Sequence, residues 1–176
     1  MRRVRAMQAL GVLALAALAG CSSGSTSSGP IACPRIIPAP GADTIALFGP
    51  GGHEQKDVLV GGRFYDLSAT CTQLKVGFDV KTEISFYAER ANNSLPDATL
   101  PYFVALIGPG EKVLTQEQFL EKVEFIPGES FRRTLAEKIT VHVPLRNKGD
   151  SASYTVVVGF QLTPDQIAFN RASRAR

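Results

Sequence analysis

Over residues 75–90 hydrophobic and polar side chains alternate without a break. Val76, Phe78, Val80, Thr82, Ile84, Phe86 and Ala88 take every second position, separated by Gly77, Asp79, Lys81, Glu83, Ser85, Tyr87 and Glu89. A helix would scatter the first set around its whole surface, whereas a strand places them on one face. A strand with one buried and one wet face belongs to an antiparallel sheet. This run is long for a strand, which predicts a bulge or bend near Gly77 or Thr82. Its acids, with Lys81 and Arg90, read as a solvent face.

Other segments carry the same signal. Residues 34–56 are rich in Pro and Gly, which disfavours helix and leaves room for a short edge strand over 44–48. Gly49–Gly52 lacks the Lys and Ser/Thr of a phosphate loop and reads as a turn. Residues 58–69 form a strand with a bulge or tight turn at Gly61-Gly62, and 102–107 form an apolar strand after Pro101. Phe119, Val123 and Phe125 mark a strand over 119–126, although Thr115 and Gln118 could cap a helical turn over 115–122. Ile139, Val141 and Val143 alternate, as do Tyr154, Val156, Val158, Phe160 and Leu162. With a polar turn at Asn147–Asp150 between them, these two strands read as a hairpin.

The end of the chain changes character. Thr163-Pro164-Asp165-Gln166 combines an N-cap hydroxyl, Pro at the first helical position, an early acid and Gln three after the cap. A helix to about Asn170 follows, with Ile167 and Phe169 available to pack back. Arg171, Arg174 and Arg176 then make a basic tail over 171–176, either a solvated end or a contact for anionic headgroups. The expected fold is all-β: an antiparallel β-sandwich of about seven strands over 31–170, with a short C-terminal helix. A small barrel is the alternative. The segment Asp150-Ser151-Ala152-Ser153-Tyr154-Thr155-Val156 resembles the immunoglobulin-type approach to a tyrosine corner, which implies an Ig-like sandwich. Val156 stands where that family often has Cys, and too few strands follow for its standard topology.

The first twenty residues have a different purpose. Arg2, Arg3 and Arg5 precede an apolar run over 9–19, which ends in Leu18-Ala19-Gly20-Cys21. A cationic start, a short apolar core and small residues at the cut define a secretory signal. The run falls short of the roughly 20 apolar residues of a spanning helix. Its last four residues resemble the bacterial lipobox, which implies acylation of Cys21; the other reading is an ordinary signal with an incidental Cys. Residues 21–30 are a flexible Ser/Gly tether, whose nine residues 22–30 give a reach of roughly 15–18 Å. Cleavage removes three arginines and no acid, so the formal charge of +3 falls to about zero. Nothing basic remains to mark a nucleic-acid partner. Export leaves Cys33 and Cys71 in an oxidising compartment, where a disulfide is expected, worth roughly 3–4 kcal/mol by loop closure. Two free thiols, or a nucleophilic Cys71, are the other possibilities.

Across the mature chain, Cys33-Pro34-Arg35, Pro101-Tyr102-Phe103-Val104-Ala105 and Val158-Gly159-Phe160-Gln161-Leu162-Thr163-Pro164 resemble a group of uncharacterised lipoproteins from alphaproteobacteria. The resemblance implies a place in the cell envelope and no chemistry. Under the sorting rule of enteric bacteria, Ser22 after the acylated Cys implies the outer membrane, with the domain in the periplasm.

No catalytic, cofactor-binding or metal-binding set is assigned. A nucleophilic Cys needs a His partner, and the two histidines, His53 and His142, sit in no recognisable motif. His142 alternates with Val141 and Val143 and reads as solvent-facing. His53, Glu54 and Asp57 share a loop without metal-ligand spacing. Tyr87, Tyr65, Tyr102 and Phe103 are candidates for an exposed aromatic patch. Two functions follow. The first is a non-enzymatic envelope module that binds a protein or glycan partner; the second is a periplasmic hydrolase or small-ligand carrier with convergent polar groups in a pocket.

Overall fold

The structure, a computed structural model, describes residues 33–135, 138–145 and 148–175. The signal, Cys21 and the tether lie outside these residues. The strands are β1 (Arg35–Pro38), β2 (Thr44–Phe48), β3 (Val58–Gln73), β4 (Phe78–Arg90), β5 (Asp97–Gly108), β6 (Lys112–Glu124), β7 (Phe131–Leu135), β8 (Ile139–Val143) and β9 (Thr155–Phe160), followed by helix α1 (Pro164–Arg174). They form two facing sheets, ordered β1-β9-β5-β6 and β2-β3-β4-β7, with β8 also pairing β4. The pairs are antiparallel except β1 with β9. The expected β-sandwich with a C-terminal helix is present. The strands not anticipated are β1, masked by its prolines, and the short β7.

Strand β4 organises the five-stranded sheet. It pairs β3 along one side, and on the other pairs β8 through Phe78–Thr82 and β7 through Ser85–Glu89. Its alternation holds: Phe78, Val80, Thr82, Ile84, Phe86 and Ala88 are all buried. Leu100, Tyr102, Val104, Val156, Val158 and Phe160 meet them from the other sheet. Phe64 stacks on Phe160 at 4.4 Å, and Phe86 meets Tyr102 edge-on at 5.0 Å between centroids. Thr82 keeps its place in this apolar row because its hydroxyl donates to Ile139 O at 3.1 Å.

Several expectations need correction. Val76 lies exposed in the β3–β4 turn, where Gly77 has φ +77° and an added Cβ would stand 2.1 Å from Val143 O. The bend expected near Gly77 is this turn, which ends the run before Phe78, while the bulge falls on β3 between Phe64 and Asp66 and not at Thr82. Strand β3 also runs unbroken through Gly61-Gly62; Gly62 is small because a Cβ there would press on Ile45 at 2.9 Å. Residues 115–122 are strand throughout: Thr115 lies opposite Leu106 and Gln118 opposite Phe103, so no capping box forms. The last two strands make no hairpin, since β8 pairs β4 and β9 pairs β5 and β1. Alternation specifies which face of a strand is buried, not which neighbour it takes. Between them Tyr154 is buried and donates its hydroxyl to Pro144 O at 2.9 Å, closing a tyrosine corner.

Arg90 does not face solvent. It shares the parity of Phe86 and Ala88 and is 4% exposed. Its Nε and Nη2 donate to Glu129 O at 3.0 and 2.7 Å, and Nη2 also donates to Ile126 O at 3.1 Å. Nη1 donates to Leu95 O, and to Asn93 O at 3.4 Å. The guanidinium lies 4.9 Å from the Phe125 ring centroid. Every acceptor is a backbone carbonyl.

Cys33 and Cys71 form the expected disulfide, with Cα atoms 5.8 Å apart. Cys33 precedes β1 in one sheet and Cys71 lies on β3 in the other, so the bond joins the two layers. Helix α1 starts as its sequence predicts: Thr163 Oγ1 accepts from Gln166 N, and Gln166 Oε1 accepts from Thr163 N at 2.8 Å. It continues past Asn170 to Arg174, which pairs with Asp43. Phe169 packs edge-on against Phe48 at 5.3 Å, but Ile167 is exposed. The buried side chains are Gln166 and Asn170. They donate to Ala46 O at 2.7 Å and Thr44 O at 2.8 Å, carbonyls on the open edge of β2.

Two stability predictions follow. Cys33→Ser/Cys71→Ser should lower unfolding free energy by about 3–4 kcal/mol for the loop released. Arg90→Met keeps the apolar stem but leaves part-buried carbonyls without their donor, and should cost about 1–3 kcal/mol. Urea denaturation of each variant beside the oxidised wild type measures both.

Candidate functional site

The outer face of the five-stranded sheet carries an arginine–aromatic ladder. Arg63 on β3, Tyr87 on β4 and Arg133 on β7 are cross-strand neighbours in one row. The Arg63 guanidinium lies 4.5 Å from the Tyr87 ring centroid, and that of Arg133 lies 4.3 Å from Tyr65. Tyr87 also stacks on Phe131 at 5.9 Å and donates its hydroxyl to Glu89 at 3.3 Å. The β3 bulge turns Tyr65 outward. Tyr65 and Phe131 remain 49% and 47% exposed. Rings and guanidinium planes thus pack against one another across three neighbouring strands.

A surface groove of about 410 Å³ runs beside the ladder, between it and α1. Gly61 forms the floor, with Tyr87 and Glu89 on one side and Phe169 and Asn170 on the other. A Cβ at Gly61 would meet nothing within 4 Å, so any other residue would project into this space. Several of the groove's polar groups have partners inside the fold: Arg174 with Asp43, Tyr87 with Glu89, and Asn170 with the Gly41 and Thr44 carbonyls.

The aromatic residues singled out from the sequence divide. Tyr65 and Tyr87 belong to the ladder. Tyr102 is buried, stacked on Phe119 at 5.3 Å, because it shares the inward parity of Leu100 and Val104 on a central strand. Phe103 is half-buried on the opposite outer face, where its ring crosses Gly159. Sequence reasoning missed Arg63, Phe131 and Arg133. The available signal was Phe131-Arg132-Arg133 after the Pro127-Gly128 turn, too short to be read as a strand.

The histidines are separated. His142 is exposed on β8, opposite Asp79 of β4, with Nδ1 3.0 Å from Asp79 Oδ1. A His–carboxylate pair is part of a nucleophile-activating set, but Cys33 and Cys71 are bonded to each other and offer no thiol. A crevice of about 320 Å³ beside this pair is lined by Val104, Thr115, Glu117 and Val141. At the 53–57 loop, Asp57 Oδ2 accepts the backbone N–H groups of His53 at 3.2 Å and Glu54 at 3.1 Å. Glu54 pairs with Lys56 at 3.0 Å. Among the described residues, no group of three or more His, Cys, Asp or Glu side chains is placed to hold a metal ion.

The Glu54 N–H bond is the main cause that holds the Asp57 carboxyl below the ordinary carboxylate range; desolvation opposes it, and the His53 N–H and the Lys56 charge assist. A depressed folded value means the carboxylate stabilises the loop above the unfolded pKa, and that this is lost as pH falls through the folded value. The Glu54 amide resonance should therefore titrate below the usual Asp midpoint in an NMR pH series, and Asp57→Asn should abolish the titration.

No protein-family model, curated protein or solved structure matches this chain.

Proposed function

We propose that the protein is a lipid-anchored module of the bacterial cell envelope that binds a protein or glycan partner and catalyses no reaction. The arginine–aromatic ladder is the observation that carries this reading. Tyr, Phe and Arg are the residues enriched where partners make their strongest contacts, and exposed ring faces also stack on sugars. The anchor rests on the lipobox Leu18-Ala19-Gly20-Cys21 and the Ser/Gly segment after it. Ser22 favours the outer membrane, with the sandwich in the periplasm. The disulfide suits an oxidising compartment. The resemblance to alphaproteobacterial lipoproteins agrees with this address. A hydrolase or small-ligand carrier needs convergent, uncommitted polar groups, whereas Arg174, Tyr87 and Asn170 of the groove are bonded within the fold.

Two measurements test the reading. Mass spectrometry of the mature N-terminus should find acylated Cys21, and Cys21→Ser should release the protein from the membrane fraction. Chemical crosslinking in native envelopes should capture a partner through the ladder. Arg63→Ala/Tyr87→Ala should weaken that capture at least about tenfold while leaving the fold intact. Undiminished capture by the double variant would remove the ladder from the reading.

A further inference from the structure

The two outer faces of the sandwich differ in kind. On the five-stranded sheet, β4 presents Asp79, Lys81, Glu83 and Glu89 outward, alternating with its core residues. The four-stranded sheet presents almost no charge. Its rows, read across the register, are Ile37–Val157–Ala105–Gln116, Ile107–Val113 and Pro101–Leu120, with Phe103 between Gly159 and Gln118. Leu120 is 73% exposed and Val113 54%, and Ile37 is exposed at the far edge. The charges stand at the ends. Arg35 pairs in register with Thr155 at one corner. At the opposite corner Lys122 meets Glu124 at 3.0 Å and Asp97 at 3.7 Å. The centre of the face therefore carries no carboxylate to repel anionic headgroups.

The course of the chain supplies the second observation. Cys33 leads directly into β1, which is an edge strand of this same sheet. Residues 22–32 are all that separate Cys33 from Cys21. Even at the greatest length a chain of that many residues can have, they span at most about 40 Å. An acyl chain on Cys21 therefore holds the β1 side of the four-stranded sheet within one domain diameter of the bilayer surface.

We infer that the outer face of β1-β9-β5-β6 rests on the bilayer, with Leu120, Val113 and Ile37 in the headgroup–acyl boundary. This inference rests on the lipid-anchor reading above and adds an orientation to it. Apolar side chains on a face uncharged at its centre enter that boundary, while Arg35 at the rim extends to phosphate. The ladder on the opposite face then points away from the membrane, toward a partner in the aqueous compartment.

The chain contains no Trp, so one introduced indole reports one position. Full-length acylated L120W and E83W, each in phosphatidylethanolamine–phosphatidylglycerol vesicles with brominated acyl chains, measure contact directly. L120W should be quenched at least about threefold more than E83W and its emission should shift to the blue. V113W should behave as L120W does, which guards against a local effect of one substitution. Equal, weak quenching at 120, 113 and 83 in protein that floats with the vesicles would overturn the orientation while leaving the anchor in place. Protein that lacks acyl mass and does not float would overturn both. A blue shift without quenching, in protein that crosslinks as a dimer, would assign the face to a second copy of this chain instead.

Discussion

A guanidinium buried at the end of β4 holds two of the places where the chain passes between sheets. The β4–β5 connection supplies the Asn93 and Leu95 carbonyls, and the β6–β7 connection supplies those of Ile126 and Glu129. Both crossings thus depend on Arg90. A buried cation without a counter-ion is costly unless its N–H groups are met, and carbonyl dipoles with the Phe125 ring meet them here. Other crossings use the same device on a smaller scale. The Tyr154 hydroxyl on Pro144 O pins the passage from β8 to β9. The Ala42 carbonyl accepts from Phe160 N and ties the β1–β2 connection to β9. Apolar burial drives the two layers together, while a few polar contacts determine how the chain moves between them.

The sheet edges are managed by different means. The β2 edge is closed by side-chain amides of α1, so the helix acts as a cover and contributes little apolar surface of its own. Strands β1, β7 and β8 are short, and β1 ends in Pro38. Strand β6 is the long edge, yet Glu117 and Glu121 occupy its inward-facing positions, and Thr134 of β7 donates to Glu121 at 2.6 Å. Inward-pointing charge on an edge strand discourages a foreign strand from pairing there. This disfavours strand addition at β6.

The fold class was legible because one run, 78–88, repeats with period two for long enough to exclude helix. The α1 start was equally legible, since capping chemistry is local. Pairing was not. Alternation in β8 and β9 is compatible with a hairpin or with separate sheets, and only tertiary contacts decide. Arg90 shows a different failure. Its parity pointed inward, but charge alone suggested solvent, because its acceptors are carbonyls that sequence does not display. The site was half legible: Tyr65 and Tyr87 stood out as aromatic residues among polar ones, while Arg63 and Arg133 needed the register to bring them over those rings.

The disulfide also determines how the domain responds to a pull from its N-terminal side. Tension applied ahead of Cys33 would otherwise peel the four-residue β1 from β9 one hydrogen bond at a time. The sulfur bridge diverts that tension into β3, a strand of 16 residues paired with β4 over most of its length. Force then arrives as shear on a long ladder, where many bonds must break together, and the sandwich is protected from unravelling at its weakest strand.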